Sequence, residues 1–370
     1  METDGRRKKG QEKPLLPPKP LCFLHPELCR DFFIPKFLKE NDFCQNLKPY
    51  NRLHLTLDLL NFTSQIATMR RVMNDDELEK KFQRDGYIEI PFISREEVEG
   101  LKKKFFDLLP KSGGNITVSD LGTESNAITY DFTFIDKNIE YKQAVYDVIT
   151  EYFKPHVAKW LADFRPIIAN YIRKQHESGE VPLHENWAFV DERKCTSVSI
   201  WCPLVDSFEE NGTLQVVPHS HKRFGEVRGP MIPWELENIK HEIIKDYLVP
   251  MNLKEGNAIV LDDSIVHYSA INKTDGLRLA IQLILVPKEV PSIHYHMNPE
   301  KSKDDVEVLE VDTEFYMQFN PWKQPEGAKC VDKFKFKFQP MDIKTFEKKL
   351  HQPRFDEPAG FVSKLKAMLT

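Results

Sequence analysis

Apolar positions along this chain of 370 residues follow two different rhythms. From about 75 to 164 they recur every three to four residues, the spacing of a buried helix face. Beyond 166 they fall into short alternating or continuous runs, the signature of strands. Residues 75–82 predict a short helix, Gly86 a turn, and Tyr87-Ile88-Glu89-Ile90 a strand. Ser94 and Glu97 have the spacing of a capping box. The helix they open carries Val98, Leu101, Phe105, Leu108 and Leu109 on one face and Lys102-Lys103-Lys104 largely on the other, a solvated face. Residues 111–130, with Gly113, Gly114 and Gly122, read as loop. Over 138–164, Tyr141, Val145, Val148, Ile149, Tyr152, Phe153, Val157 and Trp160 predict a long helix that Pro155 splits or kinks. His156 within it reads as a structural histidine.

Strand-like runs follow at 167–172, 197–204, 213–217, 258–261, 265–268 and 279–286, punctuated by turns such as Asn211-Gly212 and Asp275-Gly276. Helices first and many short strands after predict a mainly β fold with flanking helices. Its form is a double-stranded β-helix, a jelly-roll or cupin-like barrel with the N-terminal helices packed outside. The segment 227–250 reads as an insertion that covers the barrel mouth as a lid. Phe and Lys alternate strictly over 333–338, predicting a strand with Phe inside and Lys outside. The expected organisation is therefore a basic, proline-rich disordered arm (1–20), an extension (21–75), the barrel domain (76–300) and a C-terminal extension packed on it (301–370).

Composition narrows the function classes. A net charge of −5 and a pI of about 6.2 give no global basic field for nucleic acid. The Arg6-Arg7-Lys8-Lys9 run reads as part of a solvated tail. Twenty-five Phe are many and suit an aromatic core or an apolar pocket. The Cys residues at 22, 29, 44, 195, 202 and 330 form no CxxC pair and no zinc-type spacing, and read as reduced thiols of a cytoplasmic protein. No run of about 18 apolar residues predicts a membrane span, and no secretory signal or peroxisomal tripeptide is expected.

Candidate chemistry centres on the stretch from Pro182 to Glu192. His184 and Asn186 stand two residues apart in a segment that reads as extended, which places them on one strand face. His267, after the strand-like run 256–263, is the best third ligand. Two histidines and a short oxygen-bearing side chain form a face that holds Fe(II) and leaves positions open for oxygen and a co-substrate. Arg278 opens a later strand, and an arginine pointing into a barrel must meet an anion. Its fork suits a carboxylate. A metal face plus a deep arginine is what a 2-oxoglutarate site needs.

These pieces together resemble the phytanoyl-CoA dioxygenase family of Fe(II)/2-oxoglutarate oxygenases. The resemblance runs from about 80 to 290. It rests on Asp85-Gly86-Tyr87 with Phe92-Ile93-Ser94 and on Leu183-His184-Glu185-Asn186-Trp187 with Val190-Asp191-Glu192. It continues through Trp201-Cys202-Pro203-Leu204-Val205-Asp206, Asn211-Gly212-Thr213-Leu214, Val216-Val217-Pro218-His219-Ser220-His221, His267-Tyr268-Ser269 and Arg278. It implies His184, Asn186 and His267 as metal ligands, and Arg278 with Ser269 as holders of the distal carboxylate of 2-oxoglutarate. Trp201, Tyr171 and Thr213 would form the pocket wall, and His221 is structural. It implies Fe(II), 2-oxoglutarate and O2 as reactants, with ascorbate as an auxiliary reductant. The expected activity is hydroxylation of an unidentified small-molecule or acyl substrate, without nucleic acid or membrane insertion and with the oligomeric state open.

Asn186 departs from the family, which has Asp there. The neutral amide removes one negative charge from the site. Glu185 points to the other strand face unless a bulge re-aims it, and Asp262 or Asp263 could approach from a strand end. Three outcomes are open at this point: a weakened oxygenase, a halogenase-like site with an anion at the open position, or a binding or regulatory protein that has lost catalysis. Restoring Asp at 186 is expected to raise iron affinity.

Overall fold

The computed structural model describes residues 70–116, 130–298, 300–320 and 325–357. All belong to the compact unit Ile66–Thr370. The expectations for the 1–20 arm, for 21–69, for Cys22, Cys29 and Cys44 and for Gly122 fall outside the described residues.

Local chemistry sets the first elements. Helix α1 (Asp76–Asp85) starts where Asp75 accepts hydrogen bonds from the N–H groups of Glu77 and Leu78, 2.9 Å each. It stops at Gly86, whose φ of +81° and closeness to the His221 ring both require glycine. Strand β1 (Tyr87–Pro91) follows. Helix α2 (Arg95–Leu108) opens with the expected capping box and buries Val98, Leu101 and Phe105. After the short strand β2 (Asp131–Phe132) comes α3 (Ile139–Trp160), which runs through Pro155 without being split, one of the two expected outcomes being thereby removed. Tyr141, Val145, Ile149, Phe153 and Val157 are buried on both sides of the proline. Each contributes about 1.5–3 kcal/mol on burial, which together outweighs the ~3 kcal/mol of an internal proline. His156 contacts Glu97 at 2.7 Å on the outer helical layer.

The strands are β3 (Phe164–Lys174), β4 (Val181–His184), β5 (Val198–Pro203) and β6 (Gln215–Val216). After the short helix α4 (Lys240–Asp246) come β7 (Val249–Pro250), β8 (Asn257–Asp262), β9 (His267–Ser269) and β10 (Arg278–Pro287). They form two antiparallel sheets, ordered β1-β8-β5-β10-β3-β2 and β4-β9-β6-β7. This is the jelly-roll. One face of the larger sheet packs α2 and α3 in the main apolar core. Its other face meets the smaller sheet.

A third sheet joins β11 (Ser292–Met297), β12 (Asp305–Val311) and β13 (Lys329–Lys335), with helix α5 (Thr313–Gln318) between the last two. Here the alternation over 333–338 misleads. Strand β13 is an exposed edge, Phe334 and Phe336 are only half buried and Phe338 is exposed. Among the described residues the Phe side is covered only in part, Phe334 meeting the edge of the Tyr295 ring, so no closed core lies under the pattern. Helix α6 (Ile343–Leu350) places Phe346 against Phe224 and Tyr247, in the same cluster as Trp234, Leu236, Ile239 and Ile243 of the 227–250 segment.

A candidate metal and keto-acid site between the sheets

A cavity of about 260 Å³ lies between the two main sheets. The period of two along the strands decides what lines it. On β3, Ile168, Asn170 and Ile172 face the cavity; on β10, Arg278, Gln282 and Ile284 do; on β5, Trp201 does. His184, His267 and Ser269 enter from the smaller sheet. The same parity corrects one expectation, and a hydrogen bond to the main chain corrects a second. Tyr171, paired with Ile281, faces the helical core, and its hydroxyl donates to the Leu101 carbonyl at 3.0 Å. Thr213 turns its hydroxyl to the Met251 carbonyl at 2.6 Å and lies outside the cavity wall.

The two imidazoles are brought together by strand pairing, with His184 opposite His267 and ring centroids 4.1 Å apart. His184 Nδ1 lies 2.7 Å from the Pro182 carbonyl and His267 Nδ1 2.8 Å from the Ile265 carbonyl. A carbonyl only accepts, so each Nδ1 carries the proton and each Nε2 keeps its lone pair. Burial lowers both pKa values, His267 further through the neighbouring His184. Neutral rings with fixed, available Nε2 atoms are what a divalent cation requires of histidine.

Asn186 reaches this face by a different route from the expected one. Strand β4 ends at His184 after an irregularity in its pairing, so Asn186 lies beyond the strand rather than on its face. Its main chain is anchored instead, the Asn186 carbonyl accepting from Arg228 Nε at 2.8 Å. Its side chain is buried and lines the cavity beside His184. Its Nδ2 donates to Asp263 Oδ1 at 2.8 Å and Ser199 Oγ at 3.1 Å. Among the described residues, no cluster of three His, Cys, Asp or Glu side chains is arranged to hold a metal. Two histidines and the Asn186 oxygen are the donor set on offer.

Arg278 forms the other pole. It is 2% exposed, and its Nε and Nη1 have no hydrogen-bond partner among the described residues. Its Nη2 lies 3.5 Å from Ser269 Oγ, and its guanidinium carbon 5.7 Å from the Trp201 ring. Burial pushes its pKa down to about 9, opposed by Tyr130. Such a group is costly to bury alone and is suited to an incoming carboxylate. Ser269 Oγ donates to the Gly212 carbonyl at 2.8 Å and accepts from Lys174 Nζ at 2.5 Å, so this hydroxyl is already oriented beside the arginine. The donor set and the unpartnered fork fit a metal chelated by a keto acid.

Tyr130 escapes sequence reasoning, and the roles of Asp263, Glu185 and Glu192 become clear only in the structure. Tyr130 lines the cavity near Arg278, its pKa pushed up to about 12 by burial. Asp263 grips Asn186, and only its place at a strand end hinted at it. Glu185 takes a hydrogen bond from Trp234 Nε1 at 2.9 Å, while Glu192 receives both Arg228 nitrogens at 2.9 and 2.6 Å. The 227–250 segment is thereby tied to the strand end that carries the site. His221 stands apart, buried with Nε2 3.2 Å from the Gln83 carbonyl.

The chain is similar to several known proteins. The chain is 30% identical over 182 residues to a phytanoyl-CoA dioxygenase domain-containing protein 1 homolog of Dictyostelium discoideum, covering 47% of this chain and 62% of that protein. It is 34% identical over 137 residues to phytanoyl-CoA dioxygenase domain-containing protein 1 of Danio rerio, covering 33% and 46%. The matched region thus spans about half to just under two thirds of these relatives. Among solved structures, EctD from S. alaskensis, crystallised with 2-oxoglutarate and 5-hydroxyectoine, is similar at 22% identity and a TM-score of 0.42, over 59% of this chain and 78% of that one. The family model described as phytanoyl-CoA dioxygenase (PhyH) matches residues 82–280, more than half of the sequence, and the chain belongs to that family.

Proposed function

We propose that this protein is an Fe(II)- and 2-oxoglutarate-dependent oxygenase acting on a small, largely apolar substrate. The observation that carries the reading is the buried fork of Arg278, its Nε and Nη1 unpaired among the described residues, in one cavity with the imidazoles of His184 and His267, whose Nδ1 atoms are tied to carbonyls. His184, His267 and the Asn186 oxygen would hold the iron. Arg278, beside Ser269 and Trp201, would take the distal carboxylate of the keto acid. Bound together, iron and 2-oxoglutarate supply oxygen activation coupled to decarboxylation, the chemistry of C–H hydroxylation.

The chain itself supplies shape and dryness. Phe132, Phe134, Ile168, Trp187, Phe189 and Ile284 make most of the remaining wall apolar. Asn170 and Gln282, 3.4 Å apart, add an amide pair for one polar group of a substrate. An aliphatic or acyl chain suits this lining, since apolar burial contributes about 0.8 kcal/mol per CH₂.

The test is aerobic addition of 2-oxoglutarate to protein loaded with Fe(II), with mass detection of succinate and a search for the weak visible charge-transfer band. Succinate above the metal-free control supports the oxygenase. Folded protein that gives neither signal overturns it. Asn186 favours a second reading in that case, a family member that keeps the pocket for binding.

A further inference from the structure

Resting on that reading, we propose that Asp263, with Ser199, is a positioning pair that fixes the Asn186 amide with its oxygen toward the imidazoles. Positions 186 and 263 then form a matched amide and carboxylate, with the carboxylate on the outer member.

Only the oxygen of a carboxamide is a useful metal donor; the NH₂ group has no free lone pair to offer. An asparagine beside a metal therefore works in one of its two flips. Asp263 selects the flip. Its Oδ1 sits 2.8 Å from Asn186 Nδ2, and Ser199 Oγ donates to that same oxygen at 2.6 Å. Ser199 is already committed as donor to Asp263, so toward Asn186 its oxygen can only accept. Two acceptors thus meet the NH₂ end, which turns the carbonyl end away from them. All three side chains are buried, so water does not relax the choice. Arg228 holds the main chain of the same residue from the other side.

The pairing also changes what Asn186→Asp would do. A carboxylate at 186 would bring two buried acid groups to hydrogen-bond distance, so that they either repel or one must take up a proton and lose its charge. The single substitution that restores the family residue is therefore expected to disappoint, and the exchange of both side chains to succeed.

Four full-length proteins test this: wild type, Asn186→Asp, Asp263→Asn and the double exchange. The readouts are the Tm of metal-free protein and the affinity for Mn(II) in the presence of 2-oxoglutarate. Asn186→Asp alone is expected to lower Tm by several degrees and to tighten Mn(II) less than about threefold. The double exchange is expected to recover Tm and to tighten Mn(II) by about 10–100-fold, the scale of effects from groups that support metal ligands. Asn186→Asp performing as well as the double exchange in both readouts overturns the pairing. A second variant, Asp263→Ala, frees the amide. It is expected to weaken Mn(II) about tenfold and to abolish the slow exchange of the Asn186 side-chain N–H signals in ¹⁵N spectra. Unchanged affinity and unchanged exchange overturn the positioning role. Wild type that binds no Mn(II) sinks the iron reading, whereas additive Tm shifts across the four proteins sink the pairing itself.

Discussion

Two buried arginines show how this barrel separates scaffold from site. Arg228 is fully employed: Glu192 meets it with both oxygens, and the Asn186 and Gly225 carbonyls take further N–H groups at 2.8 and 2.7 Å. Burial works to lower its pKa, but Glu192 and Glu185 more than offset that and hold it above the ordinary range. Arg278 is as deeply buried and has two nitrogens with no partner among the described residues. The same side chain thus appears once as a closed structural tie and once as an open socket. The difference teaches that burial alone does not mark a ligand site; burial without satisfaction does.

The largest expected effect breaks the closed arginine. Glu192→Gln takes from buried Arg228 its hydrogen-bonded counter-charge, leaving only Glu185 at 3.9 Å, and should cost roughly 3–5 kcal/mol of folding stability, read by urea denaturation. A loss below about 1 kcal/mol would mean that Arg228 is no scaffold. Arg278→Leu should do the opposite. It removes donors whose lack of partners costs about 1–3 kcal/mol, so Tm holds or rises. Affinity for 2-oxoglutarate, measured by calorimetry with Mn(II), should fall about 100-fold or more. Loss of stability with unaltered co-substrate binding would erase the contrast between the two residues.

A smaller effect concerns the metal. His184, His267 and Asn186 bring no formal charge, so much of the neutralisation falls to the co-substrate. We expect 2-oxoglutarate to tighten Mn(II) at least about tenfold, with Mn(II) tightening 2-oxoglutarate equally. Independent binding of the two would argue against a shared chelate.

The smallest effect sharpens the scaffold side. His221 is brought down to about 4 by burial, with Asp262 opposing and Arg354 and Arg223 adding to it. A base whose folded pKa is depressed contributes stability above its unfolded pKa of about 6.5 and loses it as pH falls toward 4. Over that window His221→Leu should show a shallower decline of Tm than wild type, while its 2-oxoglutarate affinity at pH 7 stays unchanged.

Much was legible along the chain. Asp75, Ser94 and Gly86 announce helix ends because capping is chemistry between near neighbours. The strand runs and the His184, His267 and Arg278 constellation could be read from period and spacing. The resemblance implies Tyr171 and Thr213 for the cavity wall, but a matching position does not state which way its side chain turns, and that is decided by the register of β3 and by the Met251 carbonyl that holds Thr213. The Phe of 334, 336 and 338 failed similarly, since alternation does not reveal whether a covering layer exists.

By itself, then, the sequence determined the helix and strand inventory, the jelly-roll class and the residue types available for a metal and a carboxylate. Only the tertiary structure decided that two Arg278 nitrogens lack a partner among the described residues while Arg228 has several, that β4 stops before Asn186, and that Asp263 meets its amide. Those facts depend on pairing between segments tens of residues apart, such as Asn186 with Asp263 and Glu192 with Arg228. The burial that gives each contact its weight exists only once the sheets have closed around it.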